Sequence, residues 1–393
     1  MQILCYRWDA YNQYDVEQAF QSLGFSLTIL SKQIEHIEED SAYTEEVISL
    51  LQNGSYAFLF SINYFPVLAR ACHETDTLYV CWNCDSPLLS MYHTSVFYDT
   101  NVIFTFDYAN YKEFHELGVP HIYHLPLGVP VKRLESVLSV KQDNTYPVSF
   151  VGSLYEQNSY DRIVMSLPDY LCGYFESAMH AQTMVSGGNL LEKLLTDDIC
   201  EQIEEMTTYH TSEDSFATVR TLFATTVLGF KTANIERISR LNALSQNMLT
   251  WENSKDKQIH LFTGSQTEML PLVITHPPVD YLTQMPLVFA NSKINLNMTI
   301  PNIKTGIPLR AWDIMACHGF LLTNYQTEFD SHFRAGVHMD FFEDTEELLD
   351  KAAFYLSHDS LRESIAAKGT ELVQKEHTLE QRVQKMVQVI QHL

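Results

Sequence analysis

GIPLRAWDIMACHGFLLTN, residues Gly306–Asn324, is the stretch whose reading decides the fold. Gly306 and Pro308 signal a turn, and Pro308 suits the opening position of a helix, where its missing N–H is no loss. The pattern predicts a helix over Ala311–Cys317, ended by Gly319, then a buried parallel strand in the apolar run Phe320-Leu321-Leu322-Thr323. A loop–helix–strand unit of this kind sets the first amides of a helix at the strand ends of an α/β domain. Those amides and the helix dipole suit a phosphate. Asp313, read as about two turns in, could reach past a diphosphate to a ribose diol. The alternative for the same residues is an ordinary amphipathic helix feeding a core strand.

Working outward, 393 residues at about 150 per domain give two or three domains. A hydrophobic fraction of 46% supplies ample core. The net charge of −24 argues against nucleic acid and against an anionic membrane surface. An anionic ligand must therefore be held by local donors. Seven cysteines, odd in number and scattered through apolar runs, read as free thiols in a reducing cytoplasm. The start, MQILCYRWDA, lacks the pattern of a signal peptide, and no uncharged apolar run approaches the roughly 20 residues of a membrane span. The expected location is cytoplasmic.

Toward the N-terminus, Gln2–Tyr6 reads as a strand, Asp15–Leu23 as a helix and Phe25–Leu30 as a strand, the opening of a Rossmann-like half. The first loop has no Gly-rich fingerprint. Arg7, Trp8, Asp9 and Tyr11 line it instead, at a strand's carboxyl end, where open α/β sheets bind ligands. The alternative is a polar surface loop with Trp8 tucked into the core. Thr44 is the expected cap of a helix over Glu45–Gln52. Strands at Tyr56–Ile62, Leu78–Trp82, Asn101–Phe106 and His121–His124 bring the half to about six. Cys81-Trp82-Asn83-Cys84 is a lone pair of thiols that cannot complete a four-ligand zinc site. In the Asp85-Ser86-Pro87 that follows, Asp85 is either a general base or acceptor contact, or the cap of the next helix.

A second domain is expected from near residue 145, where Val148–Val151 starts a strand and Gly152-Ser153 allows close approach of a diphosphate. Arg162–Ser254 carries apolar residues at helical spacing and reads as a helical insertion whose last helix, Ala233–Gln246, returns to the sheet. Its faces serve internal packing, or dock a protein acceptor or a second subunit. A strand over Ile259–Gly264 ends at Thr263-Gly264-Ser265, an edge for a nucleobase. Tyr281 precedes the helix Met285–Ala290, and the strand Lys293–Leu296 opens into Asn297. Lys293 is a donor contact or a solvated strand edge. Arg310 suits phosphate better, because a guanidinium forks onto two oxygens. Phe341–Leu356 and Leu361–Leu393 read as helical, with His377 structural.

The opening stretch resembles the nucleotide-binding segment of group 1 glycosyltransferases of the GT-B fold, in the CgeB-like (spore maturation protein B-like) branch. Gly306, Pro308, Arg310, Trp312, Asp313, Ala316 and Gly319 carry the likeness. The progression from Asp280-Tyr281 through Met285-Pro286 to Ser292–Asn297, and Asp85-Ser86-Pro87, extend it from Gln2 to Arg382. It implies an α/β chain of two facing Rossmann-like domains: 1–145 on the acceptor side, with a C-terminal helix 376–393 packing back, and 146–375 binding the nucleotide-sugar, with a helical insertion at about 165–255. Donor contacts would be Gly152, Ser153, Thr263, Gly264, Tyr281, Lys293, Asn297, Thr305, Gly306, Ile307, Arg310 and Asp313. Arg7, Trp8, Tyr11 and Ser86 would face the acceptor, with Asp85 or Asp9 as catalytic base.

The implied activity is transfer of a hexosyl or N-acetylhexosaminyl group from a nucleotide-sugar, in the first place a UDP-sugar, to a hydroxyl on a protein or surface glycan. No Asp-x-Asp motif is present to hold a divalent cation, and the relatives implied need no metal or other cofactor. One departure stands out. Many group 1 enzymes pair two glutamates eight residues apart; Asp313 takes the second place and Thr305 the first. That leaves the anomeric outcome open and motivates an alternative, a non-catalytic nucleotide-sugar-binding scaffold or partner subunit. A third reading keeps the fold but changes the chemistry, to an epimerase or phosphorylase acting on sugars; the epimerase would want catalytic carboxylates and a histidine around the cleft, which the sequence does not assemble.

Overall fold

β1 (Gln2–Tyr6), β2 (Ser26–Leu30), β3 (Leu59–Ile62), β4 (Tyr79–Asn83), β5 (Asn101–Thr105) and β6 (Ile122–His124) form one sheet in the order β2-β1-β3-β4-β5-β6. β7 (Tyr146–Val151), β8 (Ile259–Phe262), β9 (Ile274–His276), β10 (Ser292–Asn297), β11 (Leu321–Asn324) and β12 (Asp340–Phe342) form a second, ordered β12-β11-β10-β7-β8-β9. All neighbours in both sheets are parallel. Helices connect most successive strands, β8 and β9 excepted, and central strands such as β3, β4 and β5 are buried at every residue. The computed structural model describes residues 1–139, 146–207, 212–251 and 258–393. The expected boundary near 145 and the expected end of the insertion near 255 lie outside the described residues.

Strand order decides where each sheet can hold a ligand. In the first sheet the chain leaves β1 on one side to β2, then returns to its other side as β3. In the second it leaves β7 toward β8 and β9, then returns as β10. The carboxyl ends of the strands at such a reversal leave a crevice between diverging loops.

The chain forms two compact units. One comprises Met1–Pro130, Asp197–Leu222 and Thr378–Leu393; the other comprises Val131–Thr196 and Phe223–His377. Asp197–Leu222 thus belongs with the first sheet, whereas the sequence reading kept all of about 165–255 with the second. Its attachment is specific. Thr94 N donates to Asp214 O (2.9 Å) and Phe216 N to Tyr92 O (2.8 Å), while the Phe216 ring packs against Tyr92 and Phe97. Helical periodicity shows that a segment has an apolar face but not which sheet that face covers.

Other differences are local. The second helix runs Ser41–Asn53, and its cap is Asp40, which accepts from Tyr43 N; Thr44 instead turns its hydroxyl back to Asp40 O. β9 carries only three residues, and β12 occupies the start of the stretch expected to be helix from Phe341. The helix there begins at Thr345, capped by Asp344. Leu361–Leu393 is two helices broken at His377, with Thr378 and Gln381 closing a capping box for Leu379–Ile390. Among the described residues no helix is long and apolar enough to cross a membrane.

Candidate functional site

The buried run of β7 ends at Val151, and Gly152 follows with φ +154°, a conformation open essentially to glycine alone. Room for a side chain is tight as well. A β-carbon at Gly152 would lie 3.3 Å from Nη1 of Arg310 and 3.7 Å from Nη1 of Arg237. Two guanidinium groups therefore converge on one glycine, at the carboxyl end of the strand where the sheet order reverses. Arg237 stands on the helix Phe230–Met248 and spans that reversal. Its Nη1 donates to Ser153 O after β7 and its Nη2 to Met298 O after β10, both at 2.6 Å. Its guanidinium also lies over the rings of Phe150 and Tyr155. Burial holds the Arg237 pKa below the ordinary arginine value, and the Arg310 charge pushes it the same way. Two like charges held this close are relieved by an anion.

Arg310 comes from the helix Leu309–Ala316. Pro308 sits just outside it, extended at ψ 153°, not as its first residue, and offers no capping side chain to the first-turn amides. Trp312 Nε1 donates to Ile307 O (3.3 Å), which fastens the preceding loop to the helix. Arg310 and Asp313, three residues apart, share a helix face. Asp313 lies about one turn in, not two: it follows the first helical residue, Leu309, by four positions. It is buried, and Tyr281 Oη donates to its Oδ1 at 3.4 Å. The Tyr281 ring in turn lies under Arg133, whose Nη1 donates to Leu282 O. At the helix end the left-handed residue is His318 (φ +61°). Gly319 is required for room: a β-carbon there would meet Asn295 Nδ2 at 2.7 Å and Ile314 O at 2.8 Å.

Thr305, where the resemblance leads one to expect a carboxylate, has one beside it. Its hydroxyl donates to Glu328 Oε1 (2.8 Å), and Glu328 N donates to Thr305 O (3.3 Å). Gly306 and Ile307 are buried in the loop that follows. At the end of β8, Thr263 Oγ1 accepts from Ser265 N (3.0 Å), and Ser265 Oγ lies 3.4 Å from Ser153 Oγ, so the loops after β7 and β8 meet. Gly264 is exposed beside them. Asn297 is buried at the sheet ends, where its Nδ2 donates to Thr299 Oγ1 (3.0 Å) and Thr323 Oγ1 (2.9 Å). Lys293 is not brought to this cluster. It sits at the amino end of β10, the opposite edge of the sheet, where its ammonium pairs with Asp359 at 3.2 Å.

In the first unit, Arg7 is engaged by its own following helix, gripping the buried Glu17 through Nε (2.9 Å) and Nη2 (2.5 Å). Trp8 is half-buried; its indole N–H donates to Ile62 O (2.8 Å), tying the loop after β1 to the end of β3. Asp9 and Tyr11 are exposed. Asp85 is exposed and accepts from Asn63 Nδ2 (2.6 Å). It caps no helix, for the next turn, Leu89–Met91, follows Leu88 without a side-chain cap. Ser86 is buried and donates to Asp107 Oδ2 (2.8 Å). The structure thus gathers Arg7, Trp8, Asp9, Asp85 and Ser86 at carboxyl ends of the first sheet, and Gly152, Ser153, Thr263, Arg310, Asp313 and Tyr281 at those of the second.

Arg237 escaped the sequence reading. The available signal was the charged run Glu236, Arg237 and Arg240 inside a helix that otherwise buries Leu241 and Leu244. Arg240 pairs with Glu236, leaving Arg237 to the loops. All seven cysteines are free, Cys81 among them and buried. Among the described residues no group of three or more His, Cys, Asp or Glu side chains is arranged to hold a metal ion.

Residues 248–388 match a family model described as glycosyl transferase-like. No curated protein matches the chain by sequence. Among solved structures, the chain is similar to HepE (Alr3699) of Anabaena in complex with UDP-glucose, at 9% identity and TM-score 0.59, with both chains covered in full. It is also similar to sucrose-phosphate synthase from Thermosynechococcus elongatus, at 10% identity and TM-score 0.58, covering all of this chain and 98% of that one. A glycosyltransferase from Rickettsia africae follows at 9% identity and TM-score 0.52, covering all of this chain and 98% of that one. At such identities the likeness is one of fold. Two parallel six-stranded sheets with these neighbours make this a chain of the GT-B glycosyltransferase fold, whose residues 248–388 match the glycosyl transferase-like family.

Proposed function

We propose that the chain is a metal-independent glycosyltransferase of the CgeB-like branch, acting in the cytoplasm and moving a hexosyl or N-acetylhexosaminyl group from a UDP-sugar to a hydroxyl of a protein or surface glycan. The observation that carries this is the convergence of Arg237 and Arg310 on Gly152 at the strand-order reversal. In the reaction the bond from the anomeric carbon to the diphosphate oxygen breaks and one to the acceptor oxygen forms. The diphosphate leaves with the bonding electrons, and the acceptor proton passes to a base. Charge grows on the departing diphosphate, so fixed cations and the first-turn amides of Leu309–Ala316 stabilise the transition state more than the ground state. Asp313 and Tyr281 would bind the ribose. HepE, crystallised with UDP-glucose, supports the choice of nucleotide. Asp85 or Asp9 would accept the proton. Thr305 in place of a carboxylate favours a second reading, a nucleotide-sugar-binding scaffold without turnover.

Calorimetry of the full chain with UDP, GDP, CDP and dTDP, with and without EDTA, tests the proposal. UDP should bind equally in both conditions, and at about 100 times its dissociation constant should add about 2.7 kcal/mol of apparent stability. If none of the four binds, the donor site is abandoned. UDP binding without hydrolysis or transfer of any UDP-sugar would select the scaffold.

A further inference from the structure

Tyr155 is shared between the arginine cluster and a second feature of the same unit. Its backbone is left-handed (φ +54°). Its ring lies 4.7 Å from the Arg237 guanidinium carbon and stacks on Phe230, with centroids 5.2 Å apart and planes at 25°. Beside this stack is a cavity of about 300 Å³ lined by Tyr155, Gln157, Asn158, Ser159, Thr226 and Phe230. That is the lower end of the size range of small-molecule pockets, about 300–1,000 Å³.

The walls are built. Thr226 stands on a π-helical segment, Ala224–Gly229, a widened turn that recurs at functional sites. Asn302 Nδ2 donates to Thr225 O within it (3.1 Å), and Gly229 leaves room for the Asn302 side chain that any β-carbon would strike. On the other wall Asn158 caps Ser159–Ile163 through Asp161 N (3.0 Å), while its Nδ2 donates to Tyr155 O and Asp161 Oδ2. Asn158 therefore holds the wall, and Gln157, Ser159 and Thr226 complete the polar part of the lining.

The chemistry of the lining selects the ligand. None of the six residue types is an acid or a base of the kind that answers a phosphate or carboxylate. A wholly apolar ligand would strip water from an amide and hydroxyls without replacing its hydrogen bonds. An uncharged pyranose satisfies both demands: its C–H face buries apolar surface on the rings, and its hydroxyls pair with amide and hydroxyl groups. We propose that this cavity is a subsite for one uncharged sugar unit of a glycan acceptor, distinct from the donor contacts. The word acceptor rests on the transferase reading above; the binding of a neutral sugar does not.

The test uses the full chain with maltose, cellobiose, lactose and chitobiose as probes in saturation-transfer NMR, and calorimetry with UDP on the same samples. At least one disaccharide should show transfer. Phe230→Ala and Gln157→Ala should each weaken it by about fivefold or more, the loss of one ring or amide contact, with UDP affinity within about threefold of the parent. Gln157 is exposed, so Gln157→Ala reports even where Phe230→Ala perturbs folding. Absence of transfer from all four sugars, or equal transfer in both variants, overturns the subsite. Sugar binding that depends on Phe230 and Gln157 in a protein that binds no nucleotide sustains the subsite and removes the transferase reading.

Discussion

Arg237 and Arg310 reach the same glycine from different helices, and their removal should differ in kind. Arg310 stands partly exposed at the start of its helix. Arg310→Ala should weaken UDP binding about 10- to 100-fold, the worth of a charge-assisted hydrogen bond at about 1.5–3 kcal/mol, with little change in stability. Arg237 also satisfies two loop carbonyls from a buried position. Arg237→Met should therefore lose comparable affinity and in addition about 2–4 kcal/mol of stability, because Ser153 O and Met298 O lose their donor. Calorimetry and urea unfolding separate the two effects; an Arg237→Met protein that binds UDP like the parent would remove this residue from the site. The sequence showed Arg310 and Gly152 because each follows a local signal, a turn before a helix and a turn after a strand. Arg237 was illegible for the opposite reason. Mid-helix, its role depends on loops from 84 and 61 residues away, and no local pattern encodes that.

The helix Leu309–Ala316 and β11 illustrate how an element can be read correctly and its punctuation misread. Gly319 was expected to end the helix by its backbone freedom. The structure gives that conformation to His318 and uses Gly319 for clearance against Asn295 and Ile314. Gly319→Ala should accordingly destabilise the protein by about 1–3 kcal/mol through overpacking, measured as a lowered urea midpoint. An unchanged midpoint would mean that neighbours yield at no cost. Of the three strands of only three residues, the sequence marks β6 but not β9 or β12, for so short a run barely displays a period of two.

β9 brings a second element-level consequence. His276 on β9 and His260 on β8 share a hydrogen bond of 2.9 Å between ring nitrogens and are stacked. Burial lowers both pKa values below 6.5, and His276 lowers that of His260 further. The unfolded chain takes up protons at its higher pKa while the folded pair resists them. Stability from the pair is therefore complete above pH 6.5 and is lost as the pH falls through the lower folded values. His276→Phe should flatten the decline of the urea midpoint below pH 6.5; a decline of the same steepness would show that other groups govern it.

At the scale of the whole molecule, the net charge of −24 opposes the approach of a nucleotide diphosphate, while the two arginines attract it only nearby. The screening length falls from about 30 Å at ~0.01 M salt to about 8 Å at ~0.15 M, so salt removes the distant repulsion first. The association rate of UDP, followed by stopped-flow fluorescence, should therefore rise over that range. A falling rate would mean that attraction at the site dominates the approach. Composition made this charge legible, and the alternation of strands and helices made both sheets legible. The assignment of Asp197–Leu222 was not, because it is written in contacts such as Phe216 on Tyr92, more than a hundred residues apart.

The discontinuous first unit also sets the order in which the protein can be finished during synthesis. Its sheet is complete once β6 has been made, yet the helix Leu379–Ile390 packs on Gln13–Ser22, and Arg382 donates to Leu127 O. The unit that leaves the ribosome first is thus the last to close. Through the whole translation of the second sheet, the face of Gln13–Ser22 that this helix packs on stays uncovered, and a nascent chain stalled before Thr378 is the form that chaperones would have to shield.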